Sequence, residues 1–262
     1  MIDFTKKKLI VIKIGSNILT DESNKLDLNT LRHLVSQIAF LKNQGKRVVI
    51  VTSGAIVCGG EALKIKPESI ADKQAAAAVG QVILMENYQQ FFVRHGFTIG
   101  QVLLTRDAFM DKERAKHAKN TFQHLLDLDV IPIVNENDTI SVDEIKFSDN
   151  DNLSCTVSLL LGAGLQIFLT DIDGLYDLDP RAHKDARLIT KLTEISDDLL
   201  ASLSANASRK GRGGMKSKVN SAKQLLENGI EVIIANGRKE NILKDLYHGK
   251  MYGTFCIKGK KC

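Results

Sequence analysis

The run Leu9-Ile10-Val11-Ile12-Lys13-Ile14, followed at once by Gly15-Ser16-Asn17, decides how the chain is read. An apolar run without polar alternation predicts a parallel strand buried on both faces. Lys13 interrupts it at its C-terminal end, and Gly-Ser-Asn then supplies a turn with free backbone N–H groups. An ammonium at the end of a buried strand is costly unless an anion accompanies it, because desolvation disfavours its charged form. Lys13 therefore either snorkels to solvent or, with a glycine turn just after it, belongs to an anion site.

The same pattern recurs downstream. Leu28, Leu31, Leu34, Val35, Ile38 and Leu41 recur at helical spacing, with Asp27 or Asn29 as cap and Asn43 and Gly45 as stop. Lys46 to Val51 is a second strand, with Thr52-Ser53-Gly54-Ala55 at its end. Ser53 offers a hydroxyl on flexible backbone, suited to a phosphate or carboxylate, or forms an ordinary strand-to-helix turn. Two such turns in successive units favour a shared site. Cys58-Gly59-Gly60 leads to a long helix over residues 70–95, whose alanines at 75–78 read as close packing.

Thr98 to Leu104 is a third strand, residues 111–126 an amphipathic helix, and Val130 to Val134 a fourth strand. Two polar blocks follow, Asn135-Glu136-Asn137-Asp138 and Ser148-Asp149-Asn150-Asp151-Asn152, separated by a hairpin-like excursion over 139–147. The first closes a strand and the second opens the helix Leu153 to Leu161. In an α/β sheet the crevice at strand ends is where ligands bind. Asn/Asp clusters also serve as turns and caps, but two blocks flanking one excursion point to recognition. Neither is a calcium loop, since the glycine and distal glutamate of that pattern are missing.

Gly162-Ala163-Gly164 marks a boundary between lobes. Gln166 to Leu169 is a short buried strand, ended by Thr170-Asp171-Ile172-Asp173-Gly174. Asp171 either holds a nucleotide, orients a lysine or serves a turn. Residues 182–208 read as irregular with a short helix. Gly211-Arg212-Gly213-Gly214 then runs into a helix through Met215, Lys216, Ser217 and Lys218, an arrangement that suits an anion, although it is neither GxxxxGK[ST] nor GxGxxG. Two residues apart on a helix, Lys216 and Lys218 diverge. A strand over 231–235, a helix over 241–246 and an apolar end at 254–257 complete the chain. Strands alternating with helices predict a three-layer αβα sandwich on a mostly parallel sheet.

Composition bounds the function. The 262 residues carry a formal net charge of +5, with Lys and Arg spread among acids, which does not support nucleic-acid binding. Cys58, Cys155, Cys256 and Cys262 show neither CxxC nor zinc spacing, no signal segment opens the chain, and no apolar run spans a bilayer. A reduced, cytoplasmic protein without disulfides is expected. The six histidines are scattered, so no metal site and no base for Ser53 are expected.

In order, the segments at 11–16 (VIKIGS), 51–56 (VTSGAI), 101–106 (QVLLTR), 135–138 (NEND), 148–154 (SDNDNLS), 169–176 (LTDIDGLY), 179–181 (DPR) and 213–215 (GGM) resemble the glutamate 5-kinases of the amino acid kinase family. The resemblance runs over essentially the whole chain. It implies a single amino acid kinase domain over 1–262, with an acceptor lobe at 1–164 and a nucleotide lobe at 165–262. It implies transfer of the ATP γ-phosphoryl to the side-chain carboxylate of L-glutamate, the first step of proline synthesis, with Mg²⁺ bridging the phosphates.

By the same resemblance, Lys13 and Lys218 neutralise the transferred group and Asp151 positions them. Ser53, Gly54, Asp138 and Asn150 bind glutamate. Lys13, Gly15, Thr170, Asp171 and the loop Arg212, Gly213, Gly214, Met215, Lys216, Ser217 and Lys218 bind ATP. Arg212 and Lys216 stand where the family pattern often has smaller residues. Feedback by proline, a homodimer or homotetramer, and a form without a C-terminal PUA domain are further expectations. The competing readings are a kinase of the same fold acting on acetylglutamate, aspartate, carbamate or UMP, and a non-catalytic ATP or amino acid sensor. The central Asn/Asp blocks argue against the first, and retention of both lysines against the second.

Overall fold

The opening apolar run forms β1 (Leu9–Ile14), the central strand of the molecule. The computed structural model describes residues 2–105, 107–140, 150–205 and 214–259. After β1 come α1 (Ser16–Leu19), α2 (Leu28–Asn43), β2 (Arg47–Val51), α3 (Ala55–Leu63) and α4 (Ile70–Val93). Next are β3 (Ile99–Leu104), α5 (Asp107–Met110), α6 (Lys112–Asp127), β4 (Ile131–Glu136), α7 (Asn150–Leu161) and β5 (Leu165–Thr170). The chain closes through β6 (Lys191–Leu192), α8 (Asp197–Ala205), α9 (Gly214–Glu227), β7 (Glu231–Asn236), α10 (Ile242–Tyr247) and β8 (Thr254–Cys256).

Among the described residues the strands form one sheet of eight, ordered β3-β4-β2-β1-β5-β7-β8-β6. Every pairing is parallel except β7 with β8. Strand alternation sorts the two faces. Ile10, Ile12 and Ile14 pack with Ile18, Leu31, Leu34, Tyr88 and Leu246, from the layer of α1, α2, α4 and α10. Val11 packs with Phe122, Leu153 and Val219, from α6, α7 and α9. Lys13 follows the parity of Val11 and so faces α7 and α9.

The register brings the strand ends level. Lys13 is opposite Val51 of β2 and Phe168 of β5, and Thr170 of β5 is opposite Asn236 of β7. Since β1 connects onward to β2 on one side and pairs with β5 on the other, the chain reverses direction across the sheet at this strand. That reversal opens a crevice at the C-terminal edge.

Local chemistry accounts for most element ends. Asp27 caps α2 by accepting from the Thr30 N–H at 3.0 Å. Ser69 and Asp72 cap α4 reciprocally, each bond 3.0 Å. Three boundaries and one strand direction differ from the sequence reading. Cys58-Gly59-Gly60 lies inside α3 rather than in a connection, because Gly59 serves packing: a Cβ there would stand 1.7 Å from the Ala76 carbonyl oxygen of α4. Gly80 makes the reciprocal approach, its added Cβ falling 1.8 Å from the Ala55 carbonyl oxygen. Strand β4 continues through Asn135 and Glu136, whose backbone pairs with Leu103 and Leu104 of β3. Helix α7 begins at Asn150, three residues earlier than its apolar spacing indicates. The antiparallel setting of β8 has no signature in its three residues.

Cys58, Cys155 and Cys256 are buried free thiols. No helix among the described residues is long and apolar enough to cross a membrane.

Candidate active site

Three elements converge on one carboxylate. Asp151 sits in the first turn of α7, where the helix dipole favours a negative charge, and is wholly buried. Its Oδ1 lies 2.7 Å from Lys13 Nζ at the end of β1, and its Oδ2 accepts a hydrogen bond from Lys218 Nζ of α9 at 2.9 Å. Lys218 also donates to the Gly214 carbonyl at 3.2 Å, one turn back on its own helix. Burial pushes the Asp151 carboxyl up, but the charges of Lys13 and Lys218 outweigh it and hold the group below the ordinary carboxylate range. Two ammonium groups thus share one carboxylate in a nearly dry place.

A second cluster adjoins the end of β2. Gly54 adopts φ +104, a left-handed turn that starts α3 and leaves Ser53 at the strand end. The Asn150 side chain donates from Nδ2 to the Thr52 carbonyl at 2.6 Å, to Asn135 Oδ1 at 2.9 Å and to Ser53 Oγ at 3.1 Å. Asn135 in turn donates to Gln81 Oε1 of α4 at 2.9 Å. Asp138 is buried, and its Oδ1 has no hydrogen-bond partner among the described residues. Burial alone pushes its carboxyl up to about 6. An uncompensated buried carboxylate is the complement of a ligand ammonium.

On the other side of β1, Thr170 Oγ1 meets Asp171 Oδ1 at 3.2 Å, and Asp171 Oδ2 accepts from Arg181 at 2.9 Å and from Asn17 at 3.3 Å. Asp171 thus faces an arginine rather than a lysine. The Gly15 N–H bonds the Leu169 carbonyl at 3.3 Å, which ties the first glycine turn to the end of β5.

The structure thus brings Lys13, Asp151 and Lys218 together, joins Ser53 to Asn150, and sets Gly15, Thr170 and Asp171 along the same sheet edge. Met215 and Ser217 are half-buried in the first turn of α9 beside Gly214, while Lys216 is exposed and Lys218 buried, the divergence expected of neighbours two apart. Arg212, Gly213, Ser148, Asp149 and most of the 139–147 excursion lie outside the described residues. Sequence reasoning missed Asn135 as a hub, Gln81 and the Arg181 to Asp171 pair. In the sequence Asn135 stands only as the first residue of a polar block. Gln81, one of several polar residues on α4, had no spacing to single it out.

A mostly parallel sheet whose central strand ends gather two buried lysines around one carboxylate suits a phosphoryl-transfer enzyme. Residues 8–236 match the model of the amino acid kinase family, and the chain belongs to that family. Its place within it is among the glutamate 5-kinases. The glutamate 5-kinase of Clostridium tetani is 46% identical over 250 residues, covering 95% of this chain and 94% of that protein. The glutamate 5-kinase of Clostridium acetobutylicum is 45% identical over 254 residues, covering 96% and 95%. Among solved structures, carbamate kinase from Giardia lamblia superposes with a TM-score of 0.67 at 16% identity, over 97% of this chain and all of that one. At that identity it shows the shared fold alone.

Proposed function

We propose that this protein transfers the γ-phosphoryl group of ATP to the side-chain carboxylate of L-glutamate, giving L-glutamyl 5-phosphate, the first step of proline synthesis. The observation that carries the reading is the buried Lys13–Asp151–Lys218 triad at the central strand ends, accompanied by the buried Asp138, whose Oδ1 has no hydrogen-bond partner among the described residues. The family membership supports it independently.

The chemistry asks little of proton transfer. An ionised carboxylate is already a nucleophile, so the reaction needs no general base. What it needs is two anions brought into contact and their charge neutralised as it spreads over the phosphoryl oxygens. Lys13 and Lys218 supply that charge, and Asp151 holds both ammonium groups where the donor and acceptor sides of the sheet meet. Asp151 pairs with both lysines before substrates arrive.

Ser53, Gly54, Asp138 and Asn150 hold glutamate. Gly15, Thr170, Asp171, Gly214, Met215, Lys216 and Ser217, together with Arg212 and Gly213, take ATP. In this reading residues 1–164 form the acceptor lobe and 165–262 the nucleotide lobe. No group of three or more metal-ligating side chains occurs among the described residues, and both oxygens of Asp151 face lysines. In this reading Mg²⁺ is carried on the phosphates, where it would neutralise phosphate charge. Proline feedback, a homo-oligomer and a cytoplasmic setting complete the reading. ADP release by the purified protein, followed with ATP and Mg²⁺ before and after L-glutamate is added, tests it: release that requires glutamate supports the proposal, and release indifferent to glutamate contradicts it.

A further inference from the structure

The chain of side-chain amides at the ends of β2 and β4 has a fixed direction. The Thr52 carbonyl can only accept, so the Asn150 atom 2.6 Å from it is Nδ2. The Glu136 backbone N–H can only donate, so the Asn135 atom 2.9 Å from it is Oδ1. Asn135 therefore presents Nδ2 to Gln81, which must answer with Oε1 at 2.9 Å. Backbone geometry at two strand ends thus orients three amides without ambiguity.

The two ends of the chain are then of opposite character. At one end Asn150, with Nδ2 committed inward, has its carbonyl oxygen to offer a ligand. At the other, Gln81 is 8% exposed and its Nε2 has no hydrogen-bond partner among the described residues. A buried N–H₂ left unmade costs more than a hydrogen bond contributes, so it marks a place where something accepts. The close approach of Gly80 to the Ala55 carbonyl sets this part of α4 against the first turn of α3, directly after Ser53 and Gly54.

We infer that Gln81 is a substrate-binding residue, whose Nε2 donates to the α-carboxylate of the acceptor while Asp138 and the Asn150 carbonyl take its α-ammonium. The inference rests on the glutamate kinase reading and adds to it the residue that reads the α-carboxylate. The amide chain makes the pocket complementary to a zwitterion: donor at one end, acceptors at the other.

The test compares L-glutamate with 4-aminobutyrate, which is glutamate without its α-carboxyl group, as substrate or as competitive inhibitor. Gln81→Met removes the donor, and Gln81→Glu removes it while retaining the oxygen that Asn135 needs. Loss of one hydrogen bond to a charged group corresponds to roughly a 10- to 100-fold rise in KM for glutamate, with kcat changed far less. Gln81→Glu should weaken glutamate further, because it sets a carboxylate against a carboxylate. Binding of 4-aminobutyrate should stay at the wild-type level in both variants. Equal weakening of both ligands would make Gln81 a scaffold residue, and unchanged glutamate binding would mean that water satisfies Nε2; either result overturns the inference. Should the Met variant fail to fold, Gln81→Glu carries the same comparison, with a melting curve as its control. A wild-type protein that releases no ADP with glutamate would instead sink the underlying reading.

Discussion

The carboxylate of Asp151 stands between two lysines from opposite halves of the chain, 2.7 Å from Lys13 and 2.9 Å from Lys218. Lys13 is buried by the central strand and Lys218 by α9, so neither has water as a ready alternative. The pairing links stability to the proposed function, since the charges proposed to serve the reaction are also charges that the fold must compensate.

Replacing Asp151 by Asn therefore affects both. Breaking a buried ionic network by removing one partner costs about 3–5 kcal/mol, because two ammonium groups are left facing a neutral amide. Asp151→Asn should show a markedly lower midpoint in denaturant together with a loss of turnover. A variant of wild-type stability would mean that the lysines find other partners.

Lys13→Met and Lys218→Met act differently, because Asp151 keeps one partner in each. Removal of one transition-state donor lowers kcat by about 100- to 1000-fold. Steady-state kinetics should show that loss in kcat with a much smaller change in KM for ATP. If KM carries the loss instead, the lysines bind the nucleotide and do not stabilise the transferred group.

Asp138 predicts a pH dependence of stability. Its folded-state pKa of about 6 lies above the ordinary carboxylate value because burial disfavours the charge. The folded state thus holds the proton more tightly than the unfolded chain. Its stability contribution falls as pH rises from about 4 to about 6 and is flat above that. Asp138→Asn should stabilise the ligand-free protein by about 3 kcal/mol near pH 8, and the gain should vanish towards pH 4. The same variant should bind glutamate poorly. Parallel melting curves across that range check the sign.

The Gly59 and Gly80 contacts predict a purely structural failure. Gly80→Ala would place a methyl 1.8 Å from the Ala55 carbonyl oxygen, a backbone atom that cannot rotate away. Forcing α3 and α4 apart costs about 3 kcal/mol or more, read as a fall in melting temperature without any change of charge.

These contrasts show what the sequence made legible. Lys13 was visible because a lysine in a run such as LIVIKI violates a strong expectation, whereas Asp151 stood in an Asn/Asp block and gained its role only through the resemblance of SDNDNLS to the glutamate 5-kinases. The parallel sheet followed from strands without alternation. The extension of β4 through Asn135 and Glu136 was not visible, since asparagine and glutamate are poor strand formers and only pairing with β3 holds them there. Gln81 was hidden for another reason: it is one of several polar residues on α4, and its partner is 54 positions away. Long-range polar contacts leave no period in a sequence.

In the proposed reaction ATP phosphorylates the side-chain carboxylate of glutamate. Incubation of the protein with ATP, Mg²⁺ and L-glutamate in hydroxylamine traps an acyl phosphate as its hydroxamate, with aspartate and N-acetylglutamate as parallel acceptors. The account predicts γ-glutamyl hydroxamate, formed in step with ADP and absent without ATP. Hydroxamate formed from another acid but not from glutamate would contradict it.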